Sequence, residues 1–81
     1  MQELKTSNKR VVGLKQTVKA VKNGTALRVY LAKDADDFIK KSALDACIDK
    51  DIQIIYANSM KELGEACGID VGTSAAAVLK D

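Results

Sequence analysis

The sequence predicts a single α/β domain in which helices cover both faces of a mainly parallel or mixed sheet. Strand-like and helix-like segments alternate along the whole chain, which is the order that such a sheet requires. No proline interrupts these segments, and 47% of the 81 residues are hydrophobic, which is typical of a globular core. Neither a linker nor an internal repeat divides the chain. We therefore expect one domain that spans residues 1–81.

The spacing of hydrophobic residues predicts where the helices and strands lie. Leu14, Val18 and Val21 recur at helical spacing, and Gly24 suits the end of that helix. Helices are expected within 2–9, at 15–22, at 36–49 and at 59–67, and strands at 11–12, 26–31, 52–56 and 75–79. The nearly continuous apolar run at 52–56 predicts a strand that is covered on both faces. The alanine-rich segment 75–79 is a poor strand former, so its assignment rests on its context.

Polar residues mark the starts of two helices. Asp34, Asp36 and Asp37 lie at the start of the predicted helix 36–49, and their carboxylates are expected to cap that helix and interact with its dipole. Ser59 and Glu62 have the spacing of a capping box and are expected to start the next helix.

The residues that the chain lacks argue against catalysis. Histidine is absent, so the commonest general base and metal ligand is missing. Cys47 and Cys67 lie twenty residues apart without a CxxC motif, which predicts two buried, reduced thiols rather than a zinc site. No catalytic or nucleotide-binding motif occurs. We expect neither an enzyme nor a bound cofactor or metal, and the lack of a membrane-spanning run or signal peptide predicts a cytoplasmic protein.

Charge is unevenly divided along the chain. Residues 1–33 hold eight basic residues and one acidic residue, whereas residues 34–81 hold five basic and ten acidic residues. A division of this size indicates one basic face that suits a polyanion. A solvated basic surface without a partner is the alternative at this point.

The segment from Gly13 to Lys19 is a glycine turn that runs into a helix start. The free N–H groups of the first helical turn would stand beside Lys15, Gln16 and Lys19, a combination that suits phosphates and exposed base edges. On local chemistry alone, an ordinary strand-to-helix turn with solvated lysines is the favoured interpretation. Loops gather at one edge of such a sheet, so we expect this turn to neighbour the segments 32–34 and 69–74.

RNA is the polyanion that these neighbouring segments suit. Lysine and glutamine can bond the base edges that become accessible at bulges and non-Watson–Crick pairs, and Val71 could pack on an extruded base. Tyr30, Phe38 and Tyr56 are expected in the core, so stacking on an aromatic platform is not expected.

Four stretches in order along the chain resemble the kink-turn RNA-binding family of ribosomal protein L7Ae, and above all its small bacterial, YbxF-like members. The resemblance rests on Gly13–Val21, Ala32–Asp36, Ser59–Ile69 and Asp70–Gly72 with the alanine-rich tail, and it covers nearly the whole chain. It implies a three-layer α/β/α sandwich around a four-stranded mixed sheet. It also implies binding to a kink-turn, an RNA duplex bent sharply at a bulge that is flanked by sheared G·A pairs.

The resemblance also implies which residues contact RNA. Lys15 and Gln16 take the guanine-reading positions, and Lys19 takes a phosphate or base contact. The predicted RNA-binding residues together are Gly13, Leu14, Lys15, Gln16, Lys19, Lys33, Val71, Gly72 and Thr73, the last three forming a loop over the flipped-out bulge nucleotide. Many relatives carry Asn-Glu where this chain has Lys-Gln, so its binding is expected to depend more on charge and salt.

The function predicted from the sequence is recognition and stabilisation of kink-turn RNA by a monomer that is associated with the ribosome and does not bind DNA. The alternative is a structural or protein–protein interaction module of the same fold. That module would use the acidic surface around Asp45, Asp49 and Asp51.

Overall fold

The structure, a computed structural model, describes residues 2–80 as four helices and four strands. In chain order these are α1 (Gln2–Thr6), β1 (Arg10–Val12), α2 (Leu14–Lys22), β2 (Ala26–Ala32), α3 (Asp37–Cys47), β3 (Gln53–Ala57), α4 (Met60–Ala66) and β4 (Ala75–Leu79). Most predicted boundaries hold within one or two residues. The first helix is shorter than predicted because the Ser7 hydroxyl accepts from the Lys9 N–H and forms a local turn.

The four strands form one mixed sheet in the order β1-β4-β2-β3. Strands β2 and β3 are parallel, whereas β4 runs antiparallel to both of its neighbours, β1 and β2. The last strand of the chain is therefore an inner strand. Residues 75–78 are buried, and the small alanine side chains fit there because helices pack on both faces.

The helices form a layer on each face of the sheet, so the predicted three-layer α/β/α sandwich is confirmed. Helices α2 and α3 pack on each other over one face, and α1 and α4 pack on the other. The first layer is built on a core that includes Val21, Val29, Cys47 and Ala77, and the second on a core that includes Leu4, Tyr30, Leu63 and Cys67.

Strand β3 differs from its prediction in one respect. It is an outer strand of the sheet, and Gln53 and Tyr56 are exposed rather than covered. Ile54 and Ile55 are half-buried, one against each core. An apolar run can therefore place one side chain in each core from an outer strand, even though other residues of that strand remain exposed to solvent.

The predicted acidic cap is divided between two helices. Asp36 is the N-cap of α3 and accepts a hydrogen bond from the Phe38 N–H at 2.8 Å. The Asp34 carboxylate instead accepts from the N–H of Met60 at 2.7 Å, and so caps α4. The Ser59 hydroxyl accepts from Glu62 N–H at 3.0 Å, as the capping pattern predicts.

Cys47 and Cys67 are free and buried, as predicted. Burial raises the pKa of both thiols, although the guanidinium of Arg10 partly opposes the rise at Cys67. The proton therefore stays on each sulfur, and neither thiol has the environment of a nucleophile.

Candidate nucleic-acid interface

Three predicted segments, residues 13–16, 32–34 and 69–74, meet where the strand ends form one edge of the sheet. We call this surface the recognition edge. Strands β1, β2 and β3 all end there and β4 begins there, because β4 runs opposite to the other three. The Gly13 N–H donates to the carbonyl of Ala75 at 2.8 Å, and the Ala32 N–H donates to that of Ser74 at 2.9 Å. The turn before α2, the turn after β2 and the loop before β4 are thus fastened side by side.

The turn before α2 depends on a glycine. Gly13 has φ 99° and ψ 155°, a backbone conformation that residues with a Cβ rarely adopt. The first N–H groups of a helix have no intrahelical acceptor, and Gly13, the N-cap of α2, offers no side chain to cap them. Lys15 and Gln16 are exposed in this first turn, whereas Leu14 packs inward against Leu31, Ala43 and Ala75.

A shallow groove runs along α2 where this helix meets strands β1 and β4. It has a volume of about 170 Å³, and Gln16, Lys19 and Asn23 line it. Lys15, Lys19 and Lys22 are exposed on the same helix, and no acidic residue lies in its first turn. This side of α2 therefore presents positive charge and amide groups.

The loop before β4 presents one apolar side chain. Val71 is 70% exposed at the recognition edge. Gly72 is exposed, but Thr73 is buried: its N–H donates to the Met60 carbonyl at 3.1 Å, and its hydroxyl donates to the Ala75 carbonyl at 3.0 Å. Of the three loop residues that the sequence selected, Val71 and Gly72 face solvent and Thr73 holds the loop.

The turn after β2 adds cations to the recognition edge. Lys33 is exposed, its N–H donates to the Ala57 carbonyl, and its own carbonyl accepts from Lys40 Nζ at 2.9 Å. The sequence did not point to Lys40, or to Asn58 and Met60 in the turn after β3, which ends at the same edge. Because β1, β2 and β3 run in the same direction, the turns that follow them lie at the same edge of the sheet. The alternation of strands and helices in the sequence could have indicated that the turn after β3 lies there too.

Two arginines of the basic segment 1–33 bond other parts of the domain and are not free to bind a polyanion. Arg10 donates to the carbonyls of Ser7 at 2.7 Å and Cys67 at 3.0 Å, which joins the segment after α1 to the end of α4. Arg28 is paired with Glu3. The cations exposed at the recognition edge and along α2 are therefore lysines.

The prediction that all three aromatic residues lie in the core is wrong for two of them. Tyr30 is buried, but Phe38 is 74% exposed and Tyr56 is 47% exposed. Phe38 lies in the first turn of α3, outside the inward stripe of that helix, and Tyr56 lies on the edge strand β3. The periodicity of short segments did not separate these surface positions from core positions.

Within residues 2–80, no group of three or more metal-ligating side chains is close enough to hold an ion. None of the described helices has both the length and the apolar content needed to cross a membrane.

The structure defines a small α/β/α domain whose sheet carries a cationic, hydrogen-bonding turn and an apolar loop at one edge. The chain belongs to the ribosomal protein L7Ae/L30e/S12e/Gadd45 family, whose sequence model matches residues 1–81.

Curated relatives agree with this assignment over most of their length. An RNA-binding protein of Caldanaerobacter subterraneus subsp. tengcongensis is 55% identical over 69 residues, which cover 85% of this chain and 84% of that protein. The RNA-binding protein YbxF of Geobacillus stearothermophilus is 40% identical over 74 residues, covering 91% of this chain and 90% of YbxF.

Solved structures share the same architecture. A protein of unknown function from Bacillus halodurans superposes with a TM-score of 0.83 at 30% identity, covering 95% of this chain and 77% of that one. The 15.5 kD RNA-binding protein of Giardia lamblia superposes with a TM-score of 0.82 at 29% identity, covering 99% of this chain and 68% of that one.

Proposed function

We propose that this chain is an RNA-binding protein that recognises kink-turn motifs and stabilises their bent conformation. One observation carries the proposal: the turn at Gly13 and the loop at Val71 are joined through the carbonyl of Ala75. The exposed side chains of Lys15 and Gln16 are therefore presented at the same edge as the exposed Val71. A bent duplex with an extruded nucleotide offers guanine edges and an unstacked base close together, which suits this arrangement.

Family membership supports the proposal independently of the geometry. The relatives described above include two proteins named as RNA-binding, and both align with more than four fifths of this chain. The Giardia structure with the same fold is also named as an RNA-binding protein. Catalysis has no comparable support, because the recognition edge presents lysines, amides and an apolar side chain rather than an acid–base pair.

The proposed mechanism is selection of one RNA conformer. Lys15 donates to guanine acceptors, Gln16 donates and accepts at base edges, and Lys19 contacts a phosphate or a base. These contacts form fully only on the bent RNA, so binding shifts the population towards it by the difference in affinity for the two conformers. Val71 and Gly72 cover the extruded nucleotide, while Leu14 and Thr73 support the two segments from below.

Electrostatics makes a large contribution to the proposed affinity. Lys15, Lys19 and Lys33 are exposed cations, and each phosphate that a lysine neutralises releases counterions. Gln16 carries no charge and accepts guanine N–H groups more weakly than a carboxylate would. Affinity should therefore fall steeply as salt is raised. We further propose that the protein acts as a monomer in the cytoplasm in association with the ribosome, in keeping with a family named for ribosomal proteins.

A titration against two RNAs tests the proposal. One is a kink-turn duplex, and the other is the same duplex with its sheared G·A pairs replaced by Watson–Crick pairs, each measured at 50 mM and 200 mM salt. We expect tighter binding to the kink-turn at both salt concentrations and weaker binding of both RNAs at the higher one. Equal affinity for the two RNAs would contradict kink-turn recognition and leave only a general attraction to polyanions.

The alternative of a protein-interaction module gains support from the α3–β3 side of the domain. Phe38, Ile48 and Tyr56 are exposed there, and the outer edge of β3 has no neighbouring strand in the sheet. If neither RNA binds in the titration, the protein-interaction function becomes the favoured one.

A further inference from the structure

The loop before β4 rests directly on the backbone of α4. Gly64 is buried in the middle of that helix, and a Cβ at this position would collide with the carbonyl oxygen of Val71 and lie 3.0 Å from the Gly72 Cα. Only a residue without a side chain allows this approach. The position of the Val71 backbone is therefore set by contact with α4.

Further contacts hold the loop and α4 to the rest of the recognition edge. The Thr73 N–H donates to the Met60 carbonyl at 3.1 Å, so the end of the loop is tied to the first turn of α4. The Asp34 carboxylate accepts from the Met60 N–H at 2.7 Å, which ties that turn to the segment after β2. Met60 is thus bonded on both sides, through its N–H to Asp34 and through its carbonyl to Thr73.

These contacts fix the apolar loop relative to the guanine-reading turn. Asp34 follows Ala32 and Lys33, whose N–H groups bond Ser74 and Ala57, and the neighbouring Ala75 carbonyl accepts from Gly13. The chain of contacts runs from Gly64 and Asp34 through Met60 and the loop to the turn before α2. Displacing α4 from the loop should move Val71, whereas the Gly13 bond to Ala75 and the packing of Leu14 hold the turn before α2 without any contact from α4.

We propose that Gly64 and Asp34 are positioning residues that set the place of Val71 over the extruded nucleotide, and so determine discrimination at that nucleotide. This inference rests on the proposed kink-turn function. Neither residue needs to touch RNA: Gly64 is buried, and the Asp34 carboxylate is bonded to the Met60 N–H. Because the loop is already in place in the free protein, binding does not include the cost of ordering it.

The readout that isolates this role is a ratio of two affinities. Each protein is titrated with the kink-turn duplex and with the same duplex lacking only the base of the extruded nucleotide. For the wild type we expect about tenfold tighter binding to the intact RNA, the scale expected when part of a valine side chain is covered. A general loss of stability or charge would change both affinities and leave their ratio unaltered.

In Gly64→Ala, the ratio should fall from about ten to between about one and three, while the affinity for the abasic RNA stays near the wild-type value. Glu65→Ala is the matched control, since it places an alanine at the next, exposed position of α4 and should keep the full ratio. Circular dichroism of both variants checks that the helices and sheet are retained. A wild-type ratio in a folded Gly64→Ala protein would overturn the proposal.

Asp34 supplies a second test that does not insert atoms into a packed site. Asp34→Ala removes the acceptor of the Met60 N–H and should lower the ratio at least threefold. Asp34→Asn keeps an oxygen acceptor at the same place and should restore most of it. Equal ratios for wild type, Asp34→Ala and Asp34→Asn would contradict the positioning role.

Failure of the two proposals can be told apart. If the wild type binds the kink-turn no better than the duplex without G·A pairs, the proposed function is wrong and this inference falls with it. If the wild type selects the kink-turn but the Gly64 and Asp34 variants keep the full ratio, only the positioning role is wrong.

Discussion

The Arg28 guanidinium holds the Glu3 carboxylate at two points. Its Nε donates to Oε2 at 3.0 Å, and its Nη2 lies 2.9 Å from Oε1. The Tyr30 hydroxyl donates to the same Oε2 at 2.8 Å. Since Glu3 lies on the five-residue helix α1 and the other two residues lie on β2, this cluster fastens the shortest helix to the sheet. The fully buried Leu4 beside it supplies the apolar part of the same attachment.

Glu3→Ala should lower the free energy of unfolding by about 1–2 kcal/mol, because it leaves the buried Tyr30 hydroxyl and the half-buried Arg28 guanidinium without their charged acceptor. The pair is about one third exposed, which keeps the effect below that of a fully buried pair. Lys5→Ala, an exposed change on the same helix, is the control. Urea unfolding compares the two variants, and an equal loss in both would show that the cluster contributes no specific stability.

The stability of the fold should decline between pH 10 and pH 12 in a manner that depends on Tyr30. Burial, followed by the hydrogen bond to Glu3, raises the pKa of Tyr30 from 10.0 to about 12. The unfolded chain loses the Tyr30 proton near pH 10, while the folded chain keeps it. The stability that Tyr30 contributes is therefore complete below pH 10 and is lost as pH rises through 12. Urea midpoints from pH 9 to pH 11.5 should fall more steeply for the wild type than for Tyr30→Phe. Parallel curves for the two proteins would refute this assignment.

Lys15→Ala and Gln16→Ala should each weaken kink-turn binding by about 1–3 kcal/mol, and salt should distinguish them. Loss of Lys15 removes a cation, so the slope of log K against log salt should flatten by about one. Loss of the neutral Gln16 should leave that slope unchanged. Lys50→Ala alters charge equally at the opposite edge of the sheet, before β3, and is the control for net charge. If Lys50→Ala weakens binding as much as Lys15→Ala, the contact at Lys15 is not specific.

Thr17→Val should stabilise the fold by about 1–2 kcal/mol. Thr17 is 1% exposed on the inner side of α2, and its hydroxyl has no hydrogen-bond partner among the described residues. Valine keeps nearly the same shape and removes the unsatisfied group. Thr25→Val is the control, because the Thr25 hydroxyl donates to the Ala20 carbonyl at 3.2 Å and its loss should not be stabilising. Thermal unfolding that ranks Thr17→Val at or below the wild type would contradict this account.

Local features of the sequence predicted most elements of the fold. The spacing of Leu14 and Val21, the glycine at Gly24 and the capping residue Ser59 act within one or two helical turns, so they can be identified without knowing the rest of the structure. The meeting of the Gly13 turn with the loop at Val71 was also predictable, because the direction of each strand determines the edge at which it ends.

Contacts between distant residues could not be predicted in this way. The partner of Asp34 lies 26 positions away, and nothing near Asp34 indicates that it caps α4 rather than α3. The exposure of Tyr56 depends on whether another strand lies beyond β3, which composition does not reveal. The attachment of Thr73 likewise depends on where Met60 and Ala75 lie in the folded chain. The position of the loop before β4 beside the Gly13 turn was predicted from the sequence, but the contacts that hold the loop were not.

The carbonyl of Ala75 has a consequence for hydration. A carbonyl oxygen has two lone pairs, and this one accepts from both the Gly13 N–H and the Thr73 hydroxyl. No acceptor capacity is left there for a water molecule, so this carbonyl should bind no water in the free protein. An RNA that docks on this edge would displace water from the exposed lysine and glutamine side chains, and none from the Ala75 carbonyl.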